Sequence, residues 1–303
     1  MTLKNNYNAE ENIIIPQEAF DWYDEYAHGM IDRRTFMKRL ASLAVVGMST
    51  NILASALLPN YALAEQVSFN DESITATYET LDSPKGLGSV KGYFVKPANL
   101  TGTAPAVLVV HENRGLNPYV KDVARRVAKA GFIAFAPDIL HTLGGYPGND
   151  DEGRKMQSTL DREKIEQDFI ASAKYLKNHS LSNGKLGGVG FCFGGYIINM
   201  LVARVPDVIN AGVPFYGTPA AKDLRKNINA PLLIQLGELD KRVNATWPEY
   251  EQDLKANNVN YVMHMYKNVN HGFHNDSTSR YDQKNADLAW ERTIAFFNKH
   301  LRS

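Results

Sequence analysis

The chain contains one cysteine, and its setting is Gly190-Phe191-Cys192-Phe193-Gly194-Gly195. Residues 185–189 before it read as a short strand, and residues 196–203 after it read as a buried helix. A reactive side chain on a sharp strand-to-helix turn, with glycine two residues to either side, is the geometry of a nucleophile elbow. The strained backbone of such a turn leaves no room for neighbouring Cβ atoms. The positive end of the helix dipole favours an anion there, so Cys192 is a candidate thiolate nucleophile. The ordinary alternative is an inert buried cysteine that packs as a small hydrophobe.

A nucleophile on this turn needs an acid and then a histidine, in that chain order, on loops after later strands. Residues 231–237 form a continuous apolar run, as in a parallel strand buried on both faces, and Glu238-Leu239-Asp240 follows at once. A second strand-like run at 261–266 is followed by Asn270-His271-Gly272-Phe273-His274. Asp240 and His271 therefore fall where strands open into loops, the place where open α/β sheets build sites. In these roles His271 takes the thiol proton, Asp240 fixes the imidazole tautomer and Cys192 attacks a carbonyl carbon. Glu238 competes with Asp240 for the acid position, and a capping or core histidine is the ordinary reading of His271. The oxyanion formed by such an attack needs two donors. One is the backbone N–H of Phe193, just after the nucleophile. The other comes from the loop His111-Glu112-Asn113-Arg114-Gly115, which follows an apolar run at 106–110, and the N–H of Asn113 is the candidate. Beyond that loop Asn117 caps a helix, Pro118 occupies its first turn and Gly131 ends it.

Together these stretches resemble the dienelactone hydrolase family, the cysteine-using branch of the α/β-hydrolases, over residues 68–303. The resemblance rests on the loop HENRGLNPY, the elbow GFCFGG, Asp240 after its strand and the NHGF segment at His271. It implies a three-layer α/β/α sandwich with a mostly parallel sheet, and cleavage of a small ester or lactone through an acyl-thiol intermediate. It also implies a role for Glu112, because a glutamate in this loop contacts the resting thiol in the family and helps to generate the thiolate when substrate binds. Family members that act on dienelactone grip its carboxylate with two arginines. Four residues after His271 this chain has Asn275, and Pro137-Asp138-Ile139-Leu140-His141 offers no arginine at the second position. Loss of a bidentate clamp is not a conservative change, so dienelactone itself is not the expected substrate. Arg114 and His274 are candidate substrate contacts instead, and the loop at 144–150 is expected to overhang the site and shape the acyl pocket.

The elements needed to position these residues are legible as an alternation. Strand-like runs lie at 92–95, 106–110, 132–137, 186–190, 211–216, 232–237 and 261–266. Helical patterns lie at 119–129, 162–177, 193–204, 248–256 and 285–300. Such alternation builds a mostly parallel sheet with helices on both faces. With 44% apolar residues the chain can bury a full core, and 33 basic residues against 33 acidic ones leave no basic excess for nucleic acid. The segment Gly188-Val189-Gly190 lacks the third glycine of a dinucleotide fingerprint, since Phe193 stands there, and no Walker lysine is present. His271 and His274 sit outside any helical HExxH pattern. No metal or cofactor is called for.

Residues 1–64 read as a leader and 65–303 as the catalytic domain. The first 31 residues are polar and acidic, and Asp32-Arg33-Arg34-Thr35-Phe36-Met37-Lys38 is close to a twin-arginine export signal. A moderately apolar stretch at 40–58 and the small-residue site Ala62-Leu63-Ala64 follow in the right order. Ser49, Thr50 and Asn51 interrupt the apolar run, which argues against a membrane span. Periplasmic export is the expected fate, with a retained segment on a cytoplasmic protein as the alternative. Two other functions compete with a hydrolase. One is a catalytically silent binding module on the same fold. The other is a redox-sensing thiol, which would need an external partner because the chain has no resolving cysteine.

Overall fold

The computed structural model describes residues 15–43, 49–61 and 64–302. These fall into two compact units divided between Leu58 and Pro59. In the smaller one, α1 (Gln17–Ala27), α2 (Arg33–Leu43) and α3 (Thr50–Leu57) bury Tyr23, Tyr26, Phe36, Leu40 and Leu57 in a cluster of their own. Tyr26 and Phe36 stack with ring centroids 5.0 Å apart. The Asp32 carboxylate accepts the N–H of Thr35 at 2.7 Å, so the exposed Arg33 and Arg34 occupy a capped first turn. Residues 1–14, 44–48 of the apolar stretch and 62–63 of the small-residue site lie outside the described residues. Among the described residues no helix is long and apolar enough to cross a membrane.

The larger unit is built on an eight-stranded sheet. Its strands are β1 (Ile74–Ser83), β2 (Gly88–Pro97), β3 (Ala104–Val110), β4 (Ile133–Asp138), β5 (Ser182–Phe191), β6 (Ala211–Phe215), β7 (Leu232–Gly237) and β8 (Tyr261–Tyr266). They lie in the order β1-β2-β4-β3-β5-β6-β7-β8. Only the pairings β1·β2 and β2·β4 are antiparallel. From β4 to β8 the strands run parallel, so their carboxyl ends share one edge of the sheet. The intervening helices are α4 (Pro118–Lys129), α5 (Asp150–Ser158), α6 (Arg162–Lys177), α7 (Phe193–Arg204), α8 (Lys241–Asn244), α9 (Trp247–Ala256) and α10 (Gln283–Leu301).

Burial on both faces explains the apolar runs of the central strands. Along β3, Ala106, Leu108 and Val110 belong to one buried cluster with residues of α6 and α7, while Val107 and Val109 belong to another with residues of α4 and α10. The result is the three-layer sandwich with a mostly parallel sheet, an α/β-hydrolase fold. Strand β1 carries no periodic apolar signal. It is an edge strand whose side chains are largely exposed, so its residues follow local polarity and leave no apolar run. Helix α5 was also missed, because its sequence is almost wholly polar and only Gly153 and Gln157 are buried.

Candidate active site

Cys192 sits between β5 and α7 with φ 55° and ψ −111°, a conformation that costs a non-glycine residue roughly 1–3 kcal/mol. The glycines around it make the turn possible. A Cβ at Gly190 would stand 2.2 Å from the carbonyl oxygen of Gly194, and one at Gly194 would stand 2.3 Å from that of Val110. The turn is thus wedged against the end of β3. It is also pinned to β6, because Cys192 N–H donates to Phe215 O at 3.0 Å. The cysteine is 8% exposed.

The acid and the histidine come from the two strands beyond. After β7, Glu238 turns outward and takes Lys267 Nζ at 2.6 Å and the N–H of Asn268 at 3.0 Å. Asp240 turns inward and divides its two oxygens. Oδ1 accepts the N–H of Val243 at 3.1 Å, capping α8, and Oδ2 bonds His271 Nδ1 at 2.6 Å. The α8 cap thus holds the carboxylate plane independently of the histidine. His271 follows β8 on a loop that uses left-handed backbone at Asn268 and Gly272. Its ring lies 4.8 Å from that of Tyr216. The ligand-capable atoms of Cys192 and His271 lie within 4.8 Å of each other.

The loop after β3 closes the third side. Glu112 is buried, and its Oε2 accepts from Asn275 Nδ2 at 3.1 Å. Asn275 has no freedom to turn, because its Oδ1 accepts both the N–H and the hydroxyl of Ser277. Asn275 therefore meets Glu112 with a neutral donor, at the position where the resemblance led to an arginine. Arg114 is buried and pairs with Asp150 at 2.7 Å. His274 is fully buried, its Nδ1 2.7 Å from the hydroxyl of Tyr119. Burial, with the nearby Arg126 charge, holds this imidazole well below the usual histidine range. Neutral His274 shares this hydrogen bond with Tyr119 and packs against Phe191 and Phe215. The polar ends of Arg114 and His274, read from sequence as candidate substrate contacts, are thus engaged by Asp150 and Tyr119. The loop at 144–150 leads into α5, and a Cβ at Gly153 would stand 2.3 Å from the carbonyl of Arg114. This segment therefore abuts the loop that carries Glu112 and Asn113.

Three residues of the site gave no sequence signal. Tyr216 follows β6 with φ 37° and is fully buried. Burial, then the Glu112 charge, raises its hydroxyl well above the usual tyrosine range, against the opposing pull of Arg280. It is a neutral O–H close to both Glu112 and Cys192. Its place at the carboxyl end of a central strand was the only available clue. Arg280 is buried with its guanidinium against the backbone of Gly272, so a cation stands beside the residue that follows His271. His111 is buried directly behind Glu112.

The profile described as "Dienelactone hydrolase family" matches residues 90–301, and one described as "YqhI-like" matches residues 11–45. YghX of Escherichia coli K12, a fragment, is 62% identical over 114 residues, covering 38% of this chain and 97% of that one. A Bradyrhizobium protein named "Probable 2-oxo-3-(5-oxofuran-2-ylidene)propanoate lactonase" is 31% identical over 224 residues, covering 69% of this chain and 89% of the relative. The crystal structure of the dienelactone hydrolase-like promiscuous phosphotriesterase P91, from metagenomic libraries, aligns with a TM-score of 0.64 at 24% identity. It covers 74% of this chain and 98% of that one, and is similar in fold.

Proposed function

The chain belongs to the dienelactone hydrolase family and is an ester or lactone hydrolase; from that premise we propose that it works through Cys192, His271 and Asp240. The observation that carries this reading is the 2.6 Å contact of His271 Nδ1 with Asp240, on loops that bring the imidazole beside the elbow cysteine. With Nδ1–H held by the carboxylate, Nε2 is the ring nitrogen left to accept a proton. It takes the proton of the Cys192 thiol. The thiolate then adds to the carbonyl carbon of a small ester or lactone, and the carbonyl π electrons move onto oxygen. The N–H groups of Phe193 and Asn113 receive that oxyanion. When the carbonyl re-forms, the C–O bond breaks and the alkoxide takes the proton from His271, leaving an acyl-thiol on Cys192. In a lactone the released hydroxyl stays attached to the acyl chain. Water, deprotonated by His271, then adds to the thioester and frees the acid and the thiol.

Glu112 and Tyr216 shape the pocket around the sulfur. The carboxylate held by Asn275 and the neutral tyrosine hydroxyl set its polarity, and the acyl group enters between the elbow and the β3 loop. Hydrolysis of a chromogenic short-chain ester by the full chain, with Cys192→Ala and His271→Ala beside it, tests the assignment. Both variants should lose at least about a hundredfold in kcat/KM. A Cys192→Ala protein as active as the parent would overturn the assignment and favour a binding role for the domain.

We also propose that the N-terminal unit directs twin-arginine export. The support is the motif itself, with Arg33 and Arg34 exposed on the first turn of α2. Lysine at both positions should leave the protein in the cytoplasm in a fractionation experiment; unchanged delivery to the periplasm would exclude this route.

A further inference from the structure

We propose that His111 is a positioning residue for the oxyanion site, an inference that rests on the assignment of Asn113 as one of the two donors. His111 is fully buried, and its Nδ1 lies 2.5 Å from the carbonyl oxygen of Glu112. The same carbonyl accepts the N–H of Arg114 at 2.9 Å. The Glu112–Asn113 peptide is trans, so its N–H points opposite to its carbonyl. Two donors pulling that carbonyl to one side therefore turn the N–H of Asn113 to the other. The base of this loop touches the elbow, since a Cβ at Gly194 would contact the carbonyl oxygens of both Val110 and His111.

The imidazole is set by its surroundings. Its ring centroid lies 5.7 Å from that of Phe169 and 6.3 Å from that of Phe193, the residue that carries the other oxyanion donor. One side chain thus touches the supports of both donors. As a core residue His111 is poorly matched to its site. Its Nε2 is buried with no hydrogen-bond partner among the described residues, although the Asp138 and Glu112 carboxylates face the ring. A buried nitrogen left in that condition costs stability. The bond to Glu112 is what the ring contributes, and a leucine of similar volume would remove both the cost and the contribution.

Two variants separate positioning from packing. His111→Leu removes the donor, and His111→Asn keeps an N–H where Nδ1 stood. Three quantities are read on the full chain: kcat and KM for the chromogenic ester, the inhibition constant of a trifluoromethyl ketone, and the rate of Cys192 alkylation by iodoacetamide. The ketone adds the thiolate and leaves an oxyanion on the former carbonyl, so it reports the oxyanion donors. Alkylation displaces iodide at a saturated carbon and needs no such donor. His111→Leu should lower kcat by about tenfold to a hundredfold with KM within about twofold. Ketone affinity should fall by the same factor, with an unchanged alkylation rate and an unfolding midpoint no lower than the parent's. His111→Asn should recover most of the loss. The proposal is overturned if His111→Leu keeps its kcat, or if turnover and alkylation fall together. An active Cys192→Ala protein places the error in the nucleophile assignment, whereas an inactive one beside a fully active His111→Leu places it in His111.

Discussion

The turn at Cys192 and the loop from His111 to Asn117 lie at the carboxyl ends of adjacent parallel strands, β5 and β3. They are held in shape by opposite means. At the elbow the fold depends on absent atoms, because Gly190 and Gly194 let backbone approach backbone at distances no Cβ would permit. In the loop the fold depends on side chains that are present. The His111 ring bonds a carbonyl, Arg114 pairs with Asp150, and the Asn117 side chain caps α4 by accepting the N–H of Val120. Steric exclusion fixes the nucleophile whatever side chain it carries. Hydrogen bonding fixes the proposed oxyanion donor only while each partner remains. The elbow should therefore fail on addition and the loop on deletion.

Removing the sulfur sharpens that contrast most. Cys192→Ala should lose at least about a hundredfold in kcat/KM while the unfolding midpoint stays at or above the parent's, since the glycines and not the thiol shape the turn. A large loss of stability in this variant would break the steric account. Adding one methyl at Gly194 should do the reverse. Gly194→Ala drives a Cβ into the Val110 carbonyl and should cost roughly 3 kcal/mol in denaturant unfolding, with activity lost alongside. Asp240→Asn stands between the two cases. Its side-chain oxygen still caps α8, so stability should hold while kcat falls by about a hundredfold, because the amide no longer stabilises the imidazolium.

Deleting a partner in the loop should be milder than adding an atom at the elbow. Arg114→Met leaves Asp150 without its cation, yet the hydroxyls of Tyr61 and Tyr146 still donate to that carboxylate at 2.7 and 2.8 Å. The expected loss is about 2 kcal/mol with about a tenfold fall in kcat, and a neutral result would show that the tyrosines alone hold the loop. The smallest effect is one of pH. Burial holds both His111 and His274 below the 6.5 of a free imidazole. On acidification the unfolded chain takes up these protons first, near pH 6.5, while the fold stays neutral. Stability is therefore complete above that pH and falls below it, by up to about 1.4 kcal/mol per pH unit for each histidine. His274→Gln keeps a hydrogen-bonding partner for Tyr119 and should flatten the dependence between pH 7.5 and 5.5 in urea unfolding; an unchanged slope would mean that other groups carry it.

Much of the sheet could be read directly because parallel strands buried on both faces are continuous apolar runs, as at 106–110 and 232–237. Strand β1 and helix α5 escaped because their surfaces face solvent and their residues obey local polarity. The order of Cys192, Asp240 and His271 was visible because each marks the end of a strand. The choice between Asp240 and Glu238 was not, since two carboxylates two residues apart differ only in the direction the loop sends them. Asn275 drew notice from the sequence only as a departure from the family pattern. Its bond to Glu112 spans 163 positions and carries no local signature.

What the sequence determined by itself is therefore the backbone logic: a strand, a strained cysteine flanked by glycines, a helix, and two later strand ends bearing an acid and a histidine. These are local matters of sterics and periodicity, and they survive without knowledge of neighbours. The tertiary structure decided the electrostatic surroundings. It alone turned Glu238 outward and Asp240 inward, laid Tyr216 against the His271 ring, set Arg280 against Gly272 and put a neutral amide on Glu112. Those outcomes follow from which distant segments meet at the carboxyl edge of the sheet, and charges and hydrogen bonds act only between groups that the fold has brought within a few ångströms.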